Sequence, residues 1–562
     1  MVFNNFRNLI TRCGGLGNTF SMWLRANFKP FWAALQNIPV IKDVLNQFYL
    51  SALLKKFIKS VPRLPNHNLR NDFPSLYTVY DESRTTYSRL LPRQPEYTEG
   101  LPDLDLASSC FLRENFVPET NRNLSLLIGF YAQWFSHQFF NTNPEDHTKV
   151  NQPVGINLGQ LYGSTAERMK SLRSGKLGLL KSSVRNGLEF PPIIPIPKDE
   201  SGQNKIPIPG DEMFDIPFPM ANSIPCFAAV HVIFFRRHQY VCRELAKWAS
   251  ANGKTMSDEE MYQKAKIIVA INVLRLTMHD YVAEGLQSSH VKIKFDHKVK
   301  KSLIWKFFGP GTYHPSNAIQ TEFNFLYRWH QFIPEEIKVV KDLPVSNNQD
   351  MKALVPDIDK YDNDSLTFPD PDSWFGEDWN AVKWLTEKEN GLERLIFSAA
   401  SQRAGKLTLL NTNKWLVKNV IKPGMKKCRE YELASYNDYR EHFGFRRVKK
   451  FEQITTDAAI LAKLKQVYKD VDQVEYYPGI FAENKDFGGV HGPFLAAIGV
   501  GMTYCGIFAS RLFETDIFNE KTLTSKGVEL ANEINYIRDV TRMHTNLGEA
   551  KVHFTVPKNN PV

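Results

Sequence analysis

Cysteine is scarce in this chain and widely spaced. Cys13, Cys110, Cys226, Cys242, Cys428 and Cys505 are spread over 562 positions. No two form a CxxC pair, so zinc-finger spacing is absent and free thiols of an intracellular protein are expected. No run of about twenty uncharged apolar residues occurs, so no bilayer-spanning helix is expected. The opening "MVFNNFRNLITRCGGLGN" has no apolar run closed by small residues, and no secretory signal is expected. The glycines of "CGGLGN" follow no predicted strand and make no phosphate loop. Internal repeats are lacking and strand signals are few. Nucleic-acid motifs are missing too, although 70 Lys and Arg against 60 Asp and Glu give a net charge of +10. That balance suits anionic lipid or acidic small molecules, and nucleic acid is not an expected partner.

Apolar residues are plentiful. They make up 43% of the chain, and aromatics reach 12%, with 39 Phe and 21 Tyr. Such a composition builds a substantial core and suits a protein that encloses an apolar ligand. From about residue 107 the patterning is helical, with strong segments near 125–140, 227–287, 319–331, 379–404 and 490–511. "PPIIPIPKDESGQNKIPIPGDEMFDIPFP" reads as a long proline-rich surface excursion. The fold class is mainly α, one large helical body.

Residues 20–60 differ from the rest. Pro30 and Pro39 break this stretch into short helices. Ile41, Val44, Leu45 and Phe48 recur at helical spacing, and Trp23, Phe28, Phe31 and Trp32 stand near cations. This is the composition of helices lying in a membrane interface, and equally of an amphipathic arm packed on a body. Two units follow from this: an arm over 1–65 and a catalytic body over 66–562.

Two short stretches contain residues suited to chemistry. In "TEFNFLYRWHQFIP", Tyr327 and His330 are three apart, the spacing of one helix face. In "AQWFSHQFF", Gln133 and His137 are four apart on a face that is otherwise apolar. Either histidine alone reads as a core residue. Two from different helices can bracket a haem, one on the iron and one free to move protons.

Both stretches resemble the proximal and distal haem motifs of the cyclooxygenases (prostaglandin endoperoxide synthases), a branch of the animal haem peroxidase superfamily. "TTYSRLLPRQP", "NLGQLYGSTAERMKSLRSGKLG", "FFRRHQYVCREL", "DYVAEGLQ", "KIKFD", "SYNDYREHF", "QVEYYPGIFAE" and "GPFL" follow in the family's order. The resemblance implies His330 as the proximal iron ligand, His137 as the distal acid–base residue and Gln133 as its companion. It implies Tyr327 as the radical-forming tyrosine and Arg89 as the anchor of a fatty-acid carboxylate. Tyr281, Val282, Phe323, Leu326, Trp329 and Leu495 would line the substrate channel, and Tyr477 would support the proximal histidine. The implied activity is oxygenation of a polyunsaturated fatty acid such as arachidonate by O2 to an endoperoxide, with peroxide reduction at the same haem. A linear hydroperoxide as product, a plain peroxidase and a non-catalytic haem protein are the other readings.

The departures carry their own expectations. Ser136, before the distal histidine, cannot form the ester that an acid makes with haem in other relatives, so haem b is expected to be non-covalent. Asn157 stands where calcium-binding relatives have an acid, so calcium is not carried over. The epidermal-growth-factor-like module has no counterpart. The polar partner of the channel arginine falls near Ser289, and the acetylatable serine position is Leu495. Residues 20–60 resemble the family's membrane-binding helices. A cytoplasmic or peripherally membrane-associated protein is expected, with a homodimer as its assembly.

Overall fold

The computed structural model describes residues 2–57, 87–143, 145–146, 148–151, 156–286, 303–308, 319–343, 358–509, 512, 517–548 and 552–556. The unit boundary near 65, Ser289, "KIKFD" and the start of the proline-rich stretch after the arm lie outside these residues.

Four helices open the chain: α1 (Val2–Arg12), α2 (Leu16–Asn27), α3 (Lys29–Asn37) and α4 (Pro39–Phe57). Gly14 and Gly15, at φ 82° and 115°, turn the chain between α1 and α2, a conformation cheap only for glycine. Pro30 and Pro39 sit in the first turns of α3 and α4, where a missing amide hydrogen breaks no bond. Phe20, Trp23 and Phe31 are 60%, 43% and 51% exposed. Trp32, expected to join them, is buried instead, and its indole N–H donates to the Leu24 carbonyl at 3.2 Å. The arm is fastened at its start. Arg12 pairs with Asp486 at 3.0 Å, and Arg440 donates to the Thr11 carbonyl at 2.7 Å. No helix of the described residues is long and apolar enough to cross a membrane.

The body is built on α5 (Leu126–Ser136), α6 (Pro225–Ala251) and α7 (Asp258–Leu276). The first half of α6 is buried all round, as befits a core helix. Trp134 of α5 stacks on Phe234 of α6 with ring centroids 4.3 Å apart and planes 11° from parallel. Such a pair contributes about 0.5–1.5 kcal/mol beyond its buried area. Asn252 and Gly253 end α6, and the Ser257 side chain accepts from the Glu260 amide to start α7. The helical pattern read over 227–287 is therefore two helices. α7 then widens into a π-helical segment, Thr277–Leu286, which carries Tyr281. Thr277 anchors that widening, with its hydroxyl donating to the Val273 carbonyl and sharing a 2.8 Å hydrogen bond with Tyr131.

Later come α8 (Thr321–Leu326), α9 (Gly391–Ser401) and α10 (Pro493–Ala509). Three two-stranded antiparallel ladders complete the body. One corrects the surface excursion: Ile193–Pro195 pairs with Glu212–Phe214, and Ile196, Ile208 and Met213 bury a small core of their own. Another, Glu336–Val340 with Asn363–Thr367, follows directly on the His330 segment.

Candidate active site

His137 closes α5 as its C-cap, still in helical conformation, so it keeps Gln133 on its face. Its Nδ1 lies 2.6 Å from the Gln133 carbonyl. A carbonyl only accepts, so Nδ1 carries the proton and Nε2 the lone pair. Burial pushes the imidazole pKa down to about 4, with the Gln133 bond opposing weakly. His137 is thus neutral near pH 7. Ser136 donates to the Gln133 carbonyl at 2.9 Å.

His330 is held differently. The one-face reading of Tyr327 and His330 is corrected here: α8 stops at Leu326, Tyr327 is its C-cap, and His330 opens a separate 3-10 turn, His330–Phe332. Main-chain contacts fix this turn. The Gly405 amide donates to the Phe332 carbonyl at 2.9 Å, and a Cβ on Gly405 would sit 2.0 Å from the Gln331 carbonyl oxygen. Arg113 pairs with Glu335 and donates to the Ile333 carbonyl at 3.0 Å. Burial, with help from the Arg328 charge, lowers the His330 pKa to about 3. Its Nδ1 is buried and makes no hydrogen bond.

Both histidines line one cavity of about 390 Å³ together with Gln133, Tyr327, Arg328 and Trp329. The rest of its wall is mostly apolar and aromatic. Gly129 of α5 meets the Phe332 ring, so the two histidine-bearing segments pack on each other. Tyr327 and Tyr281 join their hydroxyls at 2.8 Å. Tyr327 stacks on Trp329 at 4.4 Å, and burial raises the pKa of both phenols. The sequence could not show this Tyr281–Tyr327 pair, because the partners are 46 residues apart on different elements.

Of the expected channel residues, Tyr281, Val282, Phe323, Leu326 and Leu495 are buried, but none lines this cavity. Leu495 lies one turn before Gly499 on α10, and Leu326 packs against Gly499. Glu483 sets the start of α10 by accepting from the Phe494 and Leu495 amides at 3.0 and 3.4 Å. The carboxylate is fully buried with Arg440 at 3.3 Å and also takes the Tyr436 hydroxyl. Tyr477 makes no hydrogen bond to His330; its hydroxyl is buried and without a partner.

Arg89 departs from its expected role. Its guanidinium donates to the carbonyls of Tyr431, Glu432 and Leu91 at 2.7, 3.2 and 3.3 Å. Each of its three nitrogens donates once to main chain, and in this structure it closes the end of the Lys422–Glu430 helix. Asn157 accepts from the Gly159 amide at 2.7 Å, a local turn. Arg328 is the cavity-lining cation that sequence reasoning overlooked. Its place between Tyr327 and Trp329 was the available signal.

The donor set fits haem. Neutral imidazole is the form that ligates iron, His330 has an unsatisfied buried nitrogen, and a second neutral imidazole shares an apolar cavity with it.

Comparison with known proteins agrees with this geometry. The animal haem peroxidase family matches residues 155–549. That match begins after His137, so the distal histidine rests on the geometry above. The chain is 25% identical over 531 residues to prostaglandin G/H synthase 2 of Gallus gallus, covering 91% of this chain and 78% of that protein. It is 26% identical over 533 residues to prostaglandin G/H synthase 1 of Canis lupus familiaris, covering 89% and 78%. Its fold is similar to the fatty acid alpha-dioxygenase of Oryza sativa, with a TM-score of 0.69 at 18% identity over 99% and 98% of the two chains. A second similar fold is peroxidase A of Dictyostelium discoideum, with a TM-score of 0.61 at 16% identity over 84% and 96%. With the family model matched over residues 155–549, more than half of its length, this mainly helical chain is a member of the animal haem peroxidase family.

Proposed function

We propose that the chain is a haem-dependent fatty-acid dioxygenase of the cyclooxygenase type. It would convert a polyunsaturated acid such as arachidonate to a prostaglandin endoperoxide and reduce hydroperoxides at the same haem. The observation that carries this reading is the hydroxyl pair Tyr327–Tyr281, 2.8 Å apart, with Tyr327 on the wall of the cavity that contains both histidines. A plain peroxidase needs the histidines but has no use for a paired, buried phenol.

His330 would hold the haem iron. Haem b, when bound, supplies the oxidising power of peroxide cleavage. His137 Nε2, which has the free lone pair, would accept the peroxide's proton and return it to the leaving oxygen, with Gln133 beside it. Nδ1 keeps its own proton on the Gln133 carbonyl, so the ring neither flips nor changes tautomer. Tyr327 Oη stays protonated because burial raises its pKa. Loss of one electron to the oxidised cofactor and of its proton to solvent would leave a neutral Tyr327 radical, to which Tyr281 Oη donates. That radical would take a bis-allylic hydrogen from the fatty acid, two O2 would add with ring closure, and the final peroxyl radical would take a hydrogen atom back from Tyr327 to give the hydroperoxy endoperoxide.

The test is mass spectrometry of products from purified protein given haem, O2 and arachidonate. An endoperoxide or the prostaglandins from it supports the proposal. A linear hydroperoxide retains the dioxygenase and removes ring closure. No oxygenated lipid, alongside intact peroxide reduction, leaves a peroxidase.

The arm is proposed to attach the protein peripherally to membranes. Outward Phe20, Trp23 and Phe31 would enter the interface, and Arg25, Lys29 and Lys42 would face anionic lipid. Because Trp32 is buried, the appropriate variant is Phe20, Trp23 and Phe31 to Ser. It should lose flotation with anionic liposomes while its circular dichroism is unchanged, and flotation that persists would make the arm structural.

A further inference from the structure

The cavity has an aromatic mouth that the mechanism above does not use. Phe368, Trp374, Phe375, Trp379 and Trp415 all line it. Their rings are in series: Trp374 to Trp415 at 5.9 Å, Trp415 to Phe375 at 4.8 Å, and Phe375 to Trp379 at 4.5 Å. Phe368 closes the group, 5.1 Å from Trp379 and 5.8 Å from Trp415. Trp379 and Trp415 are buried, with their indole N–H groups donating to the Thr367 and Ser373 carbonyls. Trp374 is 57% exposed, so it borders the cavity and the solvent at once.

Trp374 is the outer member of a ring series whose other members line the same cavity as His137 and His330. Reducing one hydroperoxide to alcohol and water takes two electrons and two protons. Two phenols can supply them, each losing one electron and one proton to become a phenoxyl radical. A reductant too large for a cavity of about 390 Å³ has to give up its electrons from outside it.

We propose that Trp374 is the electron entry point for bulky phenolic reductants. The phenol stacks on the exposed indole face, as one aromatic ring packs on another. One electron passes from it through Trp374 and Trp415 into the cavity, and its proton leaves to solvent. The second phenol repeats the step, and the protons consumed at the peroxide come from solvent through His137. Indole can be oxidised and re-reduced in such a relay, whereas a phenylalanine ring cannot. The inference rests on the peroxidase half of the function proposed above.

The test uses the haem-loaded full chain, a hydroperoxide and two reductants: guaiacol, which enters the cavity, and guaiacol coupled to dextran, which cannot. In Trp374→Phe the ring packing is kept and the oxidisable indole is removed. The ratio of dextran-coupled to free guaiacol turnover should fall by roughly tenfold or more. Freeze-quenched samples without reductant should show a tryptophanyl radical by electron paramagnetic resonance that Trp374→Phe lacks. A smaller fall in the ratio, or a radical signal that survives the substitution, overturns the proposal. Absence of free-guaiacol turnover in the unsubstituted protein instead overturns the peroxidase reading, and this inference with it.

Discussion

The two histidine walls of the cavity are built by opposite means. His137 ends a buried helix that is stacked on the core through Trp134, and its Nδ1 is committed to the Gln133 carbonyl. His330 lies on an irregular segment held by its main chain, through Gly405 and Arg113, and its Nδ1 is committed to nothing. A group that shuttles protons needs one tautomer, and a short local hydrogen bond provides it. A group that binds metal needs a fixed position, while its second nitrogen stays available to set ligand strength.

Substitution should separate the walls. His330→Ala removes the proposed iron ligand, so the Soret band and both proposed activities should be lost while circular dichroism is kept. A normal Soret spectrum in this variant would falsify the assignment. Tyr327→Phe keeps the ring and removes the phenol: oxygen uptake with arachidonate should disappear and guaiacol oxidation should continue. His137→Ala should retain a Soret band, because the iron ligand is intact, yet lose ~10²–10⁴-fold in peroxide cleavage. Equal loss of haem from the two histidine variants would erase the distinction between the walls.

Smaller effects sharpen it. Burial lowers the pKa of the scaffold histidines His231, His238 and His544 from 6.5 to about 3, 4 and 3. The unfolded chain protonates them near 6.5 and the folded one does not, so stability is full above that pH and falls as pH drops from 6.5 toward 4. Each contributes up to ~1.4 kcal/mol per pH unit in that window. Denaturant midpoints measured at several pH values should drop accordingly. A flat profile would mean these imidazoles bind protons in the fold. Last is Tyr281→Phe, which removes one neutral hydrogen bond of about 1 kcal/mol from Tyr327. Oxygenation should slow by roughly fivefold, with peroxide reduction unaffected. No change at all would show that the Tyr327 radical needs no partner.

What could be read in advance followed from local pattern. The helical class and the proline breaks of the arm depend on spacing of four residues or fewer, whereas the His137 bond goes to the main-chain carbonyl of Gln133, which no side-chain pattern announces. What could not be read depends on distant backbone. Arg89 is claimed by carbonyls more than 340 positions away, which nothing near "TTYSRLLPRQP" reveals. α8 ends at Leu326, and the separate turn that follows at His330 is held by Gly405 from far along the chain, so local helical spacing could not show where the helix stops. The isoleucines of the 193–214 region seemed too proline-rich to pack, yet they bury one another across a hairpin. The aromatic mouth draws on two segments, one holding Trp374, Phe375 and Trp379 and the other Trp415, with no period to mark them as one surface.

The buried Arg440–Glu483 pair has a practical corollary. Through Glu483 it sets the first turn of α10, and through Arg440 it grips the Thr11 carbonyl at the end of α1. Breaking a buried pair of this kind costs about 3–5 kcal/mol, because the surviving charge is stranded. Trimming the first fifty-odd residues would remove a wall from around that pair and disturb a helix at the far end of the chain. Repainting the outward faces of α2 and α3 with polar side chains, leaving α1 whole, is the safer route to a tractable enzyme.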